Sequence, residues 1–418
     1  MDGSINIVSI PGLSQTPKKE VRIMLNVRRN VKRDVILLIV AAFVLGNVVF
    51  VGSAMAKESV TVVAVLPQTG SHATWGVRAT NGIRLGVKQI NAAGGLLGKQ
   101  VKLEILDTQG KPAVSVAAMR KAVQMKPYVV LGTNMSSSTI VNMKILEKAG
   151  IPQFPGSTSP NVTNQGNKNI FPIRVNAANI MKKVKDWIVD VIGTRKLAIM
   201  YLSEEYGKAA LDSLTKLLEG TNVAVVEILS TDGGQTDFTG ELLRIQKSGA
   251  DTLYIIGRTD ENARKMIQAK KLGLNFRIIG MENMTGPDII KLAGPAAEGV
   301  ATIVDNTYKA EALQPMAKAY KAEYGEWPSR NSVESWFSVV LVAAATEAVG
   351  KFDQQALKDF LHGNTMCAKD HKWLPLDIHY DNAGVFDRET YEVMVKNGEQ
   401  VVNEILAPLH PQNFSKCK

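Results

Sequence analysis

The apolar run Tyr128-Val129-Val130-Leu131 ends in Gly132-Thr133-Asn134-Met135-Ser136-Ser137-Ser138-Thr139, and a second run, Ile151-Pro152-Gln153-Phe154, ends in Pro155-Gly156-Ser157-Thr158-Ser159-Pro160. Each reads as a short buried strand breaking into glycine and hydroxyl residues, and a helical pattern from Ile140 to Lys148 follows the first. Neighbouring strands of an open parallel sheet aim their carboxyl ends into one crevice, which is where ligands bind. Backbone N–H groups at a helix start attract an anion, and serine hydroxyls add donors. The pair of stretches suits a small carboxylate held without catalytic machinery. Helix capping by Ser and Thr is the competing use of the same residues.

Outward from these stretches, short β-branched runs alternate with amphipathic helical ones. Strands are expected at Val60–Leu66, Val101–Asp107, Lys196–Leu202, Val223–Leu229, Thr252–Ile256, Arg277–Ile279 and Val300–Val304. Helical patterns between them include Trp75–Asn91, Ala113–Gln124, Tyr206–Leu218, Phe238–Lys247 and Glu261–Leu272. Alternation at this spacing predicts right-handed βαβ units and parallel sheets, an α/β fold. The rhythm is interrupted at Phe171-Pro172-Ile173-Arg174-Val175 and restarts near Ala178, giving two doubly wound halves. Two late helices, Pro315–Tyr324 and Ser332–Val349, precede strand-like pieces at Leu376–Tyr380, Tyr391–Val395 and Gln400–Ile405. That tail fits neither half alone, so the chain is expected to recross between them.

With 418 residues the chain is too long for one core and suits two domains. Residues 1–56 hold seven Lys/Arg against three Asp/Glu, leaving 42 against 36 downstream, a mildly basic surface with no basic–aromatic stripe for nucleic acid. Arg28, Arg29, Lys32 and Arg33 precede an apolar stretch from Val35 to Gly52, and Ala54-Met55-Ala56 has the small-x-small pattern of a cleavage site. A signal peptide cleaved after Ala56 is expected, with an uncleaved anchor as the alternative and Met24 as a possible start. The two cysteines, Cys367 and Cys417, read as a disulfide in an oxidising compartment rather than a metal site.

Catalytic motifs are absent. The turn Leu66–Gly76 lacks the glycine spacing of a dinucleotide site, there is no Gly-Lys-Ser/Thr phosphate loop, and in Gly156-Ser157-Thr158-Ser159-Pro160 proline replaces the second glycine of a nucleophile elbow. The five histidines (72, 362, 371, 379 and 410) are scattered. No catalytic residue, metal or cofactor is assigned.

Several residues in order resemble one family: Thr69-Gly70 before Trp75-Gly76, Asn81-Gly82, Ile90-Asn91-Ala92-Ala93-Gly94-Gly95, Gly98, Gly132 with Ser136–Thr139, Tyr206-Gly207, Asp237-Phe238-Thr239 and Ala297-Glu298-Gly299. From Ser59 to about Leu406 the chain is similar to the leucine/isoleucine/valine-binding family, the type I solute-binding proteins of amino-acid ABC transporters. The resemblance implies two Rossmann-like lobes joined by a three-segment hinge, with crossings near Arg174–Asn176, Asp305–Tyr308 and Val385–Arg388. It divides the chain into residues 57–175 with 308–386, residues 176–307 with 387–406, and a tail from 407 to 418.

By the same resemblance, Ser136 and Thr158, helped by the backbone of Ser157, hold a ligand's α-carboxylate. Gly156, Thr158 and Glu282 hold its α-ammonium, although Glu282 also reads as a solvated residue past a strand. Trp75 and Tyr206 match pocket-lining positions, Trp75 with a core position as its alternative. Arg258 and Thr259 stand where relatives carry aromatic residues; the arginine either adds a second anion contact, shifting preference towards an acidic or amide ligand, or faces solvent. Met135 replaces a family cysteine, with Thr108 near its partner's place, so the usual disulfide is missing. The implied function is a periplasmic monomer that closes on a small, aliphatic or branched-chain amino acid and delivers it to an ABC permease. A receptor for an aromatic acid, amide or urea-like solute, or a ligand-sensing ectodomain, is the alternative.

Overall fold

A computed structural model describes residues 58–418; the expected leader and its cleavage point after Ala56 lie outside the described residues. In Ser59–Leu66 (β1) every residue from Val62 onward is buried, as a strand covered by helices on both faces must be. The chain then alternates through Ala73–Ala92 (α1), Gln100–Asp107 (β2), Pro112–Gln124 (α2), Val129–Gly132 (β3), Ser136–Ala149 (α3) and Gln153–Phe154 (β4). These four strands pair in parallel in the order β2-β1-β3-β4. Strand order reverses between β1 and β3, so the loops after Leu66, Gly132 and Phe154 leave the same sheet edge side by side.

After Ala177–Asp186 (α4), whose first turn is capped by the Asn176 side chain accepting from the Asn179 N–H at 2.9 Å, a second series begins. It runs through Lys196–Leu202 (β5), Glu205–Leu218 (α5), Ala224–Thr231 (β6), Thr239–Ser248 (α6), Thr252–Ile256 (β7), Thr259–Lys271 (α7), Arg277–Gly280 (β8), Pro287–Ala293 (α8) and Ala301–Val304 (β9). Next come Gln314–Tyr324 (α9), Arg330–Val349 (α10), Gln354–Leu361 (α11) and a small antiparallel sheet of Thr365–Met366 (β10), Ile378–Tyr380 (β11) and Phe386–Asp387 (β12). Thr390–Lys396 (β13) and Glu399–Leu406 (β14) close the count as a hairpin.

The second sheet has the order β14-β13-β9-β8-β7-β5-β6. Its central strands are parallel, as the βαβ rhythm predicts, but β13 joins β9 antiparallel. A hairpin needs no crossover helix, which is why the tail pattern breaks the rhythm. Helices α8 and α11 and strands β10 and β12 are absent from the sequence expectations, whereas β11 falls within the expected piece Leu376–Tyr380. The two helices span seven and eight residues, too short for a helical period to stand out.

Helix α10 is apolar on every side and is long and apolar enough to cross a membrane, yet most of it is buried inside the protein. It packs against α1 at the distant start of the chain. Gly82 makes that contact possible, since a Cβ there would lie 2.0 Å from the Ser332 carbonyl oxygen. Cys367 and Cys417 are joined, with Cα atoms 5.1 Å apart, and the bond holds the terminal turn Pro411–Cys417 with Phe414 buried.

Lys265 on α7 is fully buried, its Nζ donating to the Thr231 hydroxyl at 3.2 Å above the Phe238 ring. Burial pushes its pKa from 10.5 down to about 8 against the opposing pull of Glu261 and Glu241. The folded state therefore holds this proton less tightly than the unfolded chain, and stability should climb as pH rises from about 8 to 10.5. Lys265→Met is expected to abolish that climb and to add on the order of 2 kcal/mol at pH 7 in urea titrations. Cys417→Ser should release the terminal turn, seen as faster tryptic cleavage at Lys416, and forfeit about 4 kcal/mol of loop-entropy stabilisation in thermal melts.

Candidate functional site

Three loops of the first sheet build one wall. Gly132 ends β3 at φ +90°, where a Cβ would lie 2.6 Å from the Val65 carbonyl oxygen, so the chain turns sharply against β1. Helix α3 starts at Ser136 after extended Met135 and carries no side-chain cap. The serine run thus occupies the first helical turn itself, not the loop before it, and its hydroxyls are not consumed by capping. The Ser136 hydroxyl accepts from the Ser159 N–H at 3.3 Å. Asn134 Oδ1 accepts from the Gly156 N–H at 2.8 Å and braces the loop after β4.

Beneath them Thr139 meets the Ser157 hydroxyl at 2.5 Å and the Thr133 hydroxyl at 2.8 Å, while Ser157 donates to the Thr133 carbonyl. This cluster ties the two loops together from below. Its members are almost wholly buried.

The facing wall comes from the carboxyl ends of the second sheet. Tyr206 lies in the first turn of α5, after β5; Arg258 precedes α7, after β7; and Glu282 follows β8. Arg258 is ion-paired with Glu204 and its guanidinium lies 6.0 Å from the centre of the Tyr206 ring. Burial, with the Glu282 charge adding to it, raises the Tyr206 pKa far above the ordinary phenol value, so the hydroxyl keeps its proton.

At the floor sits a buried ionic network. Arg174, on the segment between β4 and α4, donates from Nη2 to Glu282 Oε1 at 2.8 Å and from Nε to Asp305 Oδ2 at 3.3 Å, with Glu334 Oε2 at 3.2 Å. Arg330 pairs with Glu334 one turn along α10 and donates to Asn283 Oδ1 at 3.1 Å. Burial alone would raise the Asp305 carboxyl, but Arg174, Arg330 and Arg388 together hold it below its usual range. For Glu334 burial prevails over the pull of Arg330 and Arg174, and its pKa is raised.

Both walls and the floor enclose one small cavity, with about 20 Å³ of room for the centre of a water molecule. Trp75, Met135, Ser136, Gly156 and Thr158 line it from the first sheet's side, with Tyr206, Arg258 and Glu282 opposite. Two expected residues stand apart. The Ser157 hydroxyl faces the cluster below, and Thr259 opens α7 and lines a larger adjoining chamber. Sequence reading missed Asn134, Arg174, Asn283, Arg330 and Glu334, all on the cavity wall. A signal existed for three of them: Arg174 is a charge inside the apolar run Phe171–Val175, and Arg330 and Glu334 are an i,i+4 pair opening an otherwise apolar helix. Among the described residues no group of three or more His, Cys, Asp or Glu side chains could hold a metal.

Contacts also cross the cleft mouth. Ser159 Oγ and Asn161 Nδ2, beyond β4, donate to Glu205 of α5 at 2.8 and 2.9 Å, and Arg78 of α1 pairs with Asp288 of α8 at 3.0 Å.

Residues 59–400 match the family described as periplasmic binding protein. The leucine-, isoleucine-, valine-, threonine- and alanine-binding protein of Pseudomonas aeruginosa is 26% identical over 319 residues, 76% of this chain and 85% of that protein. Among solved structures, the leucine-binding protein LivK of Thermotoga maritima superposes with a TM-score of 0.72 at 21% identity, covering 83% of this chain and 99% of that one. An ABC-transporter solute-binding protein of R. palustris in complex with benzoate gives 0.76 at 20% identity, covering 84% and 97%. The chain belongs to the periplasmic binding protein family and has its type I fold.

Proposed function

We propose that this protein is an exported receptor that closes on a small α-amino acid and passes it to an ABC permease. The observation that carries this reading is the convergence of the Ser136 and Thr158 hydroxyls on one wall and the Glu282 carboxylate on the other. A zwitterion supplies what each wall lacks. Its carboxylate accepts from the hydroxyls and the start of α3, and its ammonium donates to Glu282, whose Oε1 is taken by Arg174 while Oε2 has no hydrogen-bond partner among the described residues. The P. aeruginosa relative named for leucine, isoleucine, valine, threonine and alanine supports an amino acid as the cargo.

Closure follows from the division of contacts. Ligand groups on both walls, together with Ser159–Glu205, Asn161–Glu205 and Arg78–Asp288, stabilise only the closed form, so binding shifts the population towards it. Arg174 would act as the hinge's fixed point, touching Asp305 and Glu282 on segments of the second layer and Glu334 on the helix that packs against α1. A plain aromatic acid, such as the benzoate in the R. palustris neighbour, would bring no ammonium to Glu282 Oε2.

Calorimetric titration tests the site. Glu282→Gln keeps an acceptor for Arg174 but removes the charge, and should weaken amino-acid binding by about tenfold or more; an unchanged affinity would remove Glu282 from the site. Arg174→Met removes the ion-pair partner of buried Glu282 and Asp305 and leaves Glu334 with Arg330 alone, and should lower stability by about 3–5 kcal/mol in urea unfolding.

A further inference from the structure

Polar atoms on the cavity wall are unequally used. Arg174 is spent: Nε on Asp305 and Glu334, Nη2 on Glu282, and Nη1 within 3.5 Å of the Gly156 carbonyl. Arg258 gives Nη2 to Glu204, but its Nε is buried without a partner. Arg330 gives Nη1 to Glu334 and Nη2 to Asn283 and Asn331, and again its Nε is buried and unpaired. The Tyr206 hydroxyl, on a residue only 8% exposed, is a third such atom. All three residues line the same cavity.

Buried donors without acceptors are rare in folded proteins, and each one disfavours the state that contains it. An aliphatic side chain offers none of them a lone pair. The large apolar surface lining the cavity is limited to Trp75, Met135 and the ring of Tyr206.

The ion pairs narrow the choice further. Arg174, Arg258 and Arg330, with Arg388 beside Asp305, are matched against Glu204, Glu282, Asp305 and Glu334, four charges of each sign. A zwitterion leaves that balance unchanged. A second ligand carboxylate would add a buried charge with no free cation to meet it. A cationic side chain would bring more donors to a place already short of acceptors.

We infer that the cargo is an α-amino acid whose side chain ends in an uncharged carboxamide, its carbonyl accepting from the donor set of Tyr206, Arg258 and Arg330. This inference rests on the amino-acid reading above and replaces only the aliphatic side chain that the family resemblance implies. Sites built to hydrogen-bond a ligand group discriminate strongly against analogues lacking it, because their own buried groups are then left unpaired.

Calorimetry of the purified protein with glutamine, asparagine, alanine, leucine and glutamate decides the matter. Glutamine or asparagine should bind at least about tenfold more tightly than leucine or glutamate. Tyr206→Phe, which keeps the ring beneath Arg258, should narrow the amide-to-alanine affinity ratio by about tenfold. Leucine binding as tightly as both amides, glutamate binding more tightly than both, or an unchanged ratio in Tyr206→Phe would overturn the inference while leaving the amino-acid receptor standing. Failure of all five to bind would overturn both.

Discussion

A single buried guanidinium organises the centre of this protein. Arg174 is 5% exposed and sits within ion-pair distance of three carboxylates that reach it from separate segments: the loop after β8, the end of β9 and the first turn of α10. Taking that many charges out of water is unfavourable unless every partner is in place, so the network is sensitive to geometry even where it contributes little net stability. One consequence is that the segment leaving β4 is fixed relative to both sheets. Another is that Glu282 reaches the cavity wall with one oxygen engaged by Arg174.

Around that centre the two sheets do similar work with different chemistry. In the first, sharp turns at the strand ends and a closed cluster of Thr133, Thr139 and Ser157 hydroxyls present Ser136 and Thr158 on a stiff support. In the second, loops present longer side chains, Tyr206, Arg258 and Glu282, held by ion pairs and ring contact. Small hydroxyls on one side thus face large polar groups on the other. Family membership follows from the match over residues 59–400.

Much of this was legible in the sequence. Strand limits such as Lys196–Leu202 and Thr252–Ile256 coincide with the structure, because continuous apolar runs bounded by helical periods leave little choice of register. Eight of the ten expected ligand residues meet in one cavity, since each lies just past a strand's carboxyl end and the topology brings those ends together. Arg330 and Glu334 escaped notice because they belong to no strand end; they arrive on a helix distant in sequence, and only packing tells where its first turn points. Ser157 is expected to act through its backbone, and the sequence assigns no direction to its hydroxyl. Its neighbours Thr133 and Thr139 are more than a dozen residues away, and a run of hydroxyl residues does not announce which member faces a ligand. The antiparallel hairpin β13–β14 had its strands recognised but not their direction, which local pattern does not encode.

The contact between Gly82 and Ser332 has a bearing on assembly. The helix that covers α1 is synthesised some 250 positions later, after most of the second sheet. The opening third of the polypeptide consequently leaves the ribosome with an unfinished apolar flank, and its maturation waits on chain that has yet to emerge. Pairing across such separation is slow to form, so α1 stays uncovered until late in folding.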